Sequence, residues 1–181
     1  HIEFLQEARP HARKLIAFTG AGWAQTDIPA GLLDLQISQS ILVDAPSAPG
    51  VLVGPEWLMV RSEYATCVPN QDGPIVAVMG GSDPHGLTPM AIDGLADIGR
   101  YMWVVVGPAA HLGDGILPSN VGIVRAPMDL TRLFHGASLY LGAFGMTTYE
   151  ALCAGLPVIN TGWSDDHMRM VDALVYRGVA R

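Results

Sequence analysis

From about residue 73 onward the chain alternates short runs rich in Val and Ile with stretches whose apolar residues recur at helical spacing. That alternation marks parallel βαβ units: a strand covered on both faces reads as a continuous apolar run, whereas its crossover helix needs one apolar stripe. Strands are expected over residues 75–79, 102–106, 122–124, 138–141 and 157–160. Between the first two, Leu87, Met90, Ala91, Gly94, Leu95 and Ile98 fall on one face of a helix. A second helix runs from Asp129, as N-cap, through Leu130, Leu133 and Phe134. Two more follow Met146 and Ser164, the last with Met168, Val171, Leu174 and Val175 turned inward. The expected fold is α/β, a Rossmann-like, doubly wound parallel sheet.

Residues 1–73 are less regular and read as a partial α/β unit with a linker, leaving 74–181 as a second, C-terminal domain. Residues 14–18, 41–43 and 51–53 are strand candidates, while Pro46, Pro49 and Pro55 break the segment into short pieces. Residues 54–73 look like a connection, in which Arg61 and Glu63 would position the two units against each other.

Composition excludes several classes. Half of the 181 residues are apolar and 15% are charged, enough material for a buried core. A formal net charge of -7 argues against a nucleic-acid partner or an anionic-membrane binder. Cys67 and Cys153 form no metal or disulfide motif, so neither a metal nor another cofactor is expected, and a cytoplasmic location is the default. No apolar run is long enough to span a membrane, and no signal-peptide pattern occurs. The chain opens on His1 rather than Met, as an excised or processed piece would.

Two glycine-containing loops follow expected strands. "GAFGMTTYEALCAGLP" places Gly142 and Gly145 between a strand and a helix, where amides and a helix dipole face an anion. Glycine lets a ligand approach the backbone, Thr147 and Thr148 add hydroxyls, and Glu150 can accept from the two hydroxyls of a ribose. Alternatively, Thr147 to Glu150 form a capping box that merely closes the helix start. "GGSDP", with Gly81, Ser82 and Asp83, would emerge at the same sheet edge. It reads either as a phosphate or sugar contact or as a turn in which Asp83 caps a helix whose first residue is Pro84.

"GPEWLMVRSEY", "IVAVMGGSDPHGLT" and "GAFGMTTYEALCAGLPVI" together resemble three successive motifs of the UDP-sugar hydrolase of pseudaminic acid biosynthesis and its spore coat polysaccharide relatives. These belong to the GT-B glycosyltransferase superfamily, and the motif around Gly145 is also similar to that of the bacterial transferase that adds N-acetylglucosamine to the peptidoglycan lipid precursor. The resemblance spans roughly residues 50–178 in motif order. It implies a GT-B type sheet that binds a UDP-sugar or related nucleotide sugar. Gly145, Met146 and Thr147 would donate amides to the diphosphate, Thr148 would assist, Glu150 would hold the ribose, and Gly81, Ser82 and Asp83 would line the sugar side. Asp166 and His167 stand where the family has an Asn-Gln pair. The family's catalytic histidine lies in a glycine-rich motif near the start of the first domain, and this sequence contains no such motif. The catalytic residue is therefore unassigned, and a non-catalytic nucleotide-binding or assembly domain is the alternative.

A rival pattern is "KLIAFTGAGWAQTDIPAGLLD", similar to the NAD-binding loop of sirtuin deacylases through Thr19 to Gly22 and Ile28-Pro29. The same residues, with Asp44, form a partial dinucleotide fingerprint in which Gln25 stands at the third glycine position. The sirtuin zinc cysteines and Gln-Asn-x-Asp motif are missing, and His135 in "FHGAS" falls at a helix end. Trp103 reads as core, whereas Trp163, beside a strand's carboxyl end, can stack on a base or roof the crevice. A truncated first domain would expose a sheet edge that favours a homodimer.

Overall fold

The computed structural model describes residues 2–19, 28–42, 49–113 and 115–181. Val43, Asp44 and the Gly20 to Gly22 and Gln25 positions of the dinucleotide-like pattern lie outside the described residues. The chain divides into two compact units, His1–Met59 and Val60–Arg181.

In the first unit, α1 (Ile2–Ala8) precedes three parallel strands, β1 (Ile16–Thr19), β2 (Leu35–Ser38) and β3 (Val51–Val53), hydrogen-bonded in that order. The expected strand at 41–43 is replaced by β2. Ile41 and Leu42 instead follow it in irregular backbone, with the Ser40 hydroxyl accepting from Leu42 N at 3.2 Å. Asp34 fastens the entry to β2. Its carboxylate accepts from Arg9 at 2.6 Å, Lys14 at 3.0 Å and the Leu15 amide at 2.7 Å. The Arg9 bond above all, then the Leu15 amide and Lys14, hold this carboxyl well below the usual carboxylate range. Its stabilisation is therefore complete above that range and is lost as the pH falls.

The second unit is built on five parallel strands in the order β6-β5-β4-β7-β8. They are β4 (Ile75–Val78), β5 (Met102–Val106), β6 (Val121–Arg125), β7 (Leu139–Ala143) and β8 (Val158–Thr161). The Val- and Ile-rich run of β4 is buried throughout, as expected at the centre of a sheet covered on both faces. It pairs with β5 through Ile75↔Met102 and with β7 through Ile75↔Leu139.

The helices are α2 (Leu87–Leu95), α3 (Thr131–Phe134), α4 (Met146–Cys153) and α5 (Asp165–Tyr176). Thr88 and Ile92, four residues apart, form the buried stripe of α2, with Leu95 packed on the same core, while Met90 is 65% exposed. The expected stripe is thus rotated. Gly86 is the left-handed N-cap of this helix. On α5 the buried residues are Met170, Val171 and Leu174, and Met168 and Val175 lie outward. Asp129 precedes the α3 cap, which is Leu130, and accepts from Thr131 N at 3.0 Å.

The boundary falls earlier than residue 73 because residues 60–73 pack on the second unit. Tyr64, 2% exposed, lies tilted against Phe134 with ring centroids 5.7 Å apart, and its hydroxyl accepts from Leu130 N at 3.4 Å. The Gly136 and Asn70 amides bond Val68 and Ala137 carbonyls, each at 2.9 Å. Arg61 stays on this unit too, over the Tyr64 ring and 3.9 Å from Asp129.

Phe134 is fully buried between Tyr64 and Tyr140. Phe134→Ala is expected to cost about 3–5 kcal/mol, and Met90→Ala less than about 0.5 kcal/mol, measured by urea unfolding followed at this unit. Equal losses would contradict the observed phase of α2.

Candidate functional site

The strand order β6-β5-β4-β7-β8 reverses direction between β4 and β7: the crossover from β4 leads to one side of the sheet and that from β7 to the other. Loops leaving the carboxyl ends of such a strand pair diverge and open a crevice between them. Residues 79–86 and 144–145 are those loops. The structure therefore brings Gly81, Ser82, Asp83, Gly142, Gly145, Met146, Thr147 and Thr148 to one edge of one sheet.

The glycines at this edge do different things. A Cβ at Gly142 would overlap the Tyr140 hydroxyl, and one at Gly107 would overlap the Gly81 carbonyl, so packing requires both. Gly80 has φ +98° and needs glycine for its backbone. Gly81 and Gly145 are different: a Cβ on either would meet nothing within 4 Å, and Gly145 has an extended φ of 173°. Neither packing nor backbone conformation asks for glycine at these two positions. Both face open space at the crevice.

The start of α4 is held by a buried network. Asn160 Nδ2, reaching from β8, donates to the Gly142 carbonyl at 2.9 Å and to Thr148 Oγ1 at 3.1 Å. Thr148 Oγ1 also accepts from Gly145 N at 3.4 Å. The helix begins at Met146 with Gly145 as N-cap, so the Thr147–Glu150 capping box does not form. Thr148, wholly buried, is used inside the protein, and its partner Asn160 was not singled out from the sequence. The signal available was a polar residue closing an apolar strand. By contrast, the amides of Met146 and Thr147 belong to a first helical turn, whose N–H groups lack partners within the helix.

Glu150 is thereby free of capping and lies one turn further along α4, half-buried. Burial raises its carboxyl above the ordinary value, against the smaller lowering effects of the Tyr64 hydroxyl and the Arg61 charge. On the neighbouring side of the helix, Tyr149 contacts Phe144 at 5.7 Å.

Asp83 is committed to helix capping. Its oxygens accept from Leu87 N at 2.8 Å and Thr88 N at 2.7 Å, and its backbone has a left-handed φ of 41°. Pro84 is not the first residue of α2, which starts three residues later at Leu87. Ser82 is exposed beside Asp83. At the start of α5, Ser164 Oγ accepts from His167 N at 3.2 Å, Asp166 is exposed, and His167 Nδ1 is buried with no hydrogen-bond partner. Two half-open cavities lie elsewhere among the described residues. One of about 600 Å³ runs along α2 beside Leu112 and Ile116, and one of about 460 Å³ lies beside β8 and residues 178–181. Among the described residues no cluster of His, Cys, Asp and Glu could hold a metal, and no helix is long and apolar enough to cross a membrane.

Several solved structures share this fold. The glycotransferase of kitacinnamycin is 20% identical with a TM-score of 0.57, matching 86% of this chain and 44% of its own. MurG of Acinetobacter baumannii is 16% identical with a TM-score of 0.56, matching 98% and 55% respectively. The Streptomyces sp. SF2575 glycosyltransferase SsfS6, complexed with thymidine diphosphate, is 16% identical with a TM-score of 0.55, matching 98% and 59%. These neighbours are GT-B glycosyltransferases, and this chain has the α/β fold of their domains over about half their length. No protein-family model and no curated sequence matches the chain.

A carboxyl whose pKa is raised on folding favours the folded state below its ordinary value, and that advantage is lost as the pH rises. Glu150→Gln removes the charge penalty, so it is expected to melt no lower than the native chain at pH 7. The difference should shrink as the pH falls towards about 4.5, where the native carboxyl takes up its proton. Melting curves across that range check this; a lower melting temperature at pH 7 would contradict it.

Proposed function

We propose that the second unit holds a nucleotide sugar, with uridine as the nucleoside, and forms the donor-binding part of a GT-B type hydrolase or glycosyltransferase. The observation that carries this reading is the pair Gly81 and Gly145, bare backbone facing a switch-point crevice where the protein itself has no use for a missing side chain. A diphosphate needs such an approach, because its oxygens must come within about 3 Å of amide nitrogens. The fold shared with glycosyltransferases, one of them carrying thymidine diphosphate, supports the same class of ligand.

In this reading the amides of Gly145, Met146 and Thr147 bind the diphosphate, and the α4 dipole favours its charge. As the bond from the sugar to the diphosphate breaks, negative charge grows on the departing phosphate, and preorganised donors stabilise it more than the ground state. Thr148 and Asn160 act one step back, holding the Gly142–Gly145 backbone in place. Glu150 accepts from the ribose hydroxyls, which would compensate for the burial of its carboxylate. Ser82 and the Gly81 amide face the far side of the crevice, while Asp83 shapes that loop by capping α2. The uridine assignment rests on the sequence motifs.

Gly145→Ala separates binding from folding. The variant is expected to retain its melting temperature within a few degrees, since the added methyl meets open space, while the stabilisation given by saturating UDP disappears. Gly142→Ala is expected to lower the melting temperature without ligand, because it overlaps Tyr140. If Gly145→Ala keeps the full UDP-induced shift, the diphosphate does not sit on α4. A native chain stabilised by thymidine diphosphate and not by UDP would keep the site and change the nucleoside.

A further inference from the structure

Three loops at the carboxyl edge of the five-stranded sheet send rings into one cluster. His85, after β4, stacks on Trp163, after β8, with centroids 5.1 Å apart and planes inclined by 28°. Trp163 meets His167 nearly at right angles at 4.2 Å, and Phe144, after β7, lies 6.0 Å from His167. Trp163 nevertheless leaves 48% of its surface in solvent. A large aromatic side chain ordinarily contributes through the area it buries, so a ring braced by two histidines and still half open is poorly explained by packing.

Its place in the crevice indicates what would cover it. Helix α4 has two flanks. Glu150 lies on the flank of Tyr64 and Arg61, whereas Tyr149 lies on that of Phe144, with the charge of Arg177 beyond the end of α5 close enough to act on it. A diphosphate at the start of α4 therefore has a carboxylate toward one side and the aromatic cluster toward the other. If the nucleoside follows its ribose to Glu150, the group on the second phosphate falls against Trp163. The neighbouring polar residues offer it little: Asp166 points into solvent, and the buried Nδ1 of His167 faces no partner.

Resting on the nucleotide-sugar reading above, we infer that Trp163, braced by His85 and His167, is the platform on which the donor's pyranose ring stacks. The contact is between the apolar C–H face of the sugar and the indole. Trp163 is then a specificity-determining residue that acts on the sugar and not on the nucleotide. Sugars that present a continuous C–H face are favoured, and the nucleoside diphosphate alone gains nothing from the ring.

Calorimetric titration of the native chain, Trp163→Ala and Trp163→Phe with UDP, UDP-glucose, UDP-galactose and UDP-N-acetylglucosamine tests this. At least one sugar nucleotide is expected to bind the native chain more tightly than UDP. Trp163→Ala should remove about tenfold of that affinity while leaving UDP unchanged, and Trp163→Phe should restore part of it. A sugar increment that survives Trp163→Ala, an equal loss for UDP and UDP-sugars, or no increment in the native chain overturns the platform and leaves the nucleotide site standing. No binding of UDP or of any UDP-sugar overturns the nucleotide reading itself, and the platform with it.

Discussion

The pairing of β4 with β7 is the contact on which the second unit turns. These strands lie far apart in sequence, yet Ile75 to Val78 align with Leu139 to Gly142 in the middle of the sheet, and every residue of β4 is buried there. Because β4 continues to β5 on one side and β7 to β8 on the other, their carboxyl-end loops must part. Buried bonds keep the opening in shape: Asn160 ties β8 to the Gly142 carbonyl and to Thr148, while Asp83 ties the other loop to the start of α2. The apolar strands thus set where a ligand can sit, and a few buried hydrogen bonds set how rigid that place is.

Much of the fold was legible because parallel strands covered on both faces leave a strong signal. The strand at 102–106 was read to the residue, and all five strands of the second unit were found within about two residues. The first unit was harder. Leu35–Ser38 alternates polar and apolar residues in a stretch with little else to mark it, so the neighbouring run at 41–43 drew the assignment. Helix phase failed on α2, where Gly94 held an empty place in the expected stripe and the buried Thr88 and Ile92 stood outside it. The unit boundary was missed because residues 60–73 have the composition of a linker but carry Tyr64, a core residue in a short 3-10 turn.

The site was legible as loops and less so as roles. Spacing identified both glycine loops but could not separate Gly142, which packing requires, from Gly145, which it does not; that distinction belongs to three-dimensional packing. Likewise Thr147 to Glu150 match a capping box letter by letter, yet the N-cap is Gly145, two residues earlier, which leaves Glu150 to its half-buried position. A carboxylate kept there at a cost in solvation is the kind of local inconsistency expected at functional sites. Trp163 was visible as an aromatic at a strand end, but its bracing by His85 and His167 joins residues from two separate loops.

The central claim is that a nucleoside diphosphate sits on the first turn of α4, and amide chemical shifts report this most directly. In a titration of the isotope-labelled chain with UDP, the amide signals of Gly81, Gly145, Met146 and Thr147 are expected to move together and saturate. Those of α2 beyond its first turn should stay in place. Shifts that avoid these four amides, or that appear only around the 460 Å³ cavity beside β8, would contradict the account.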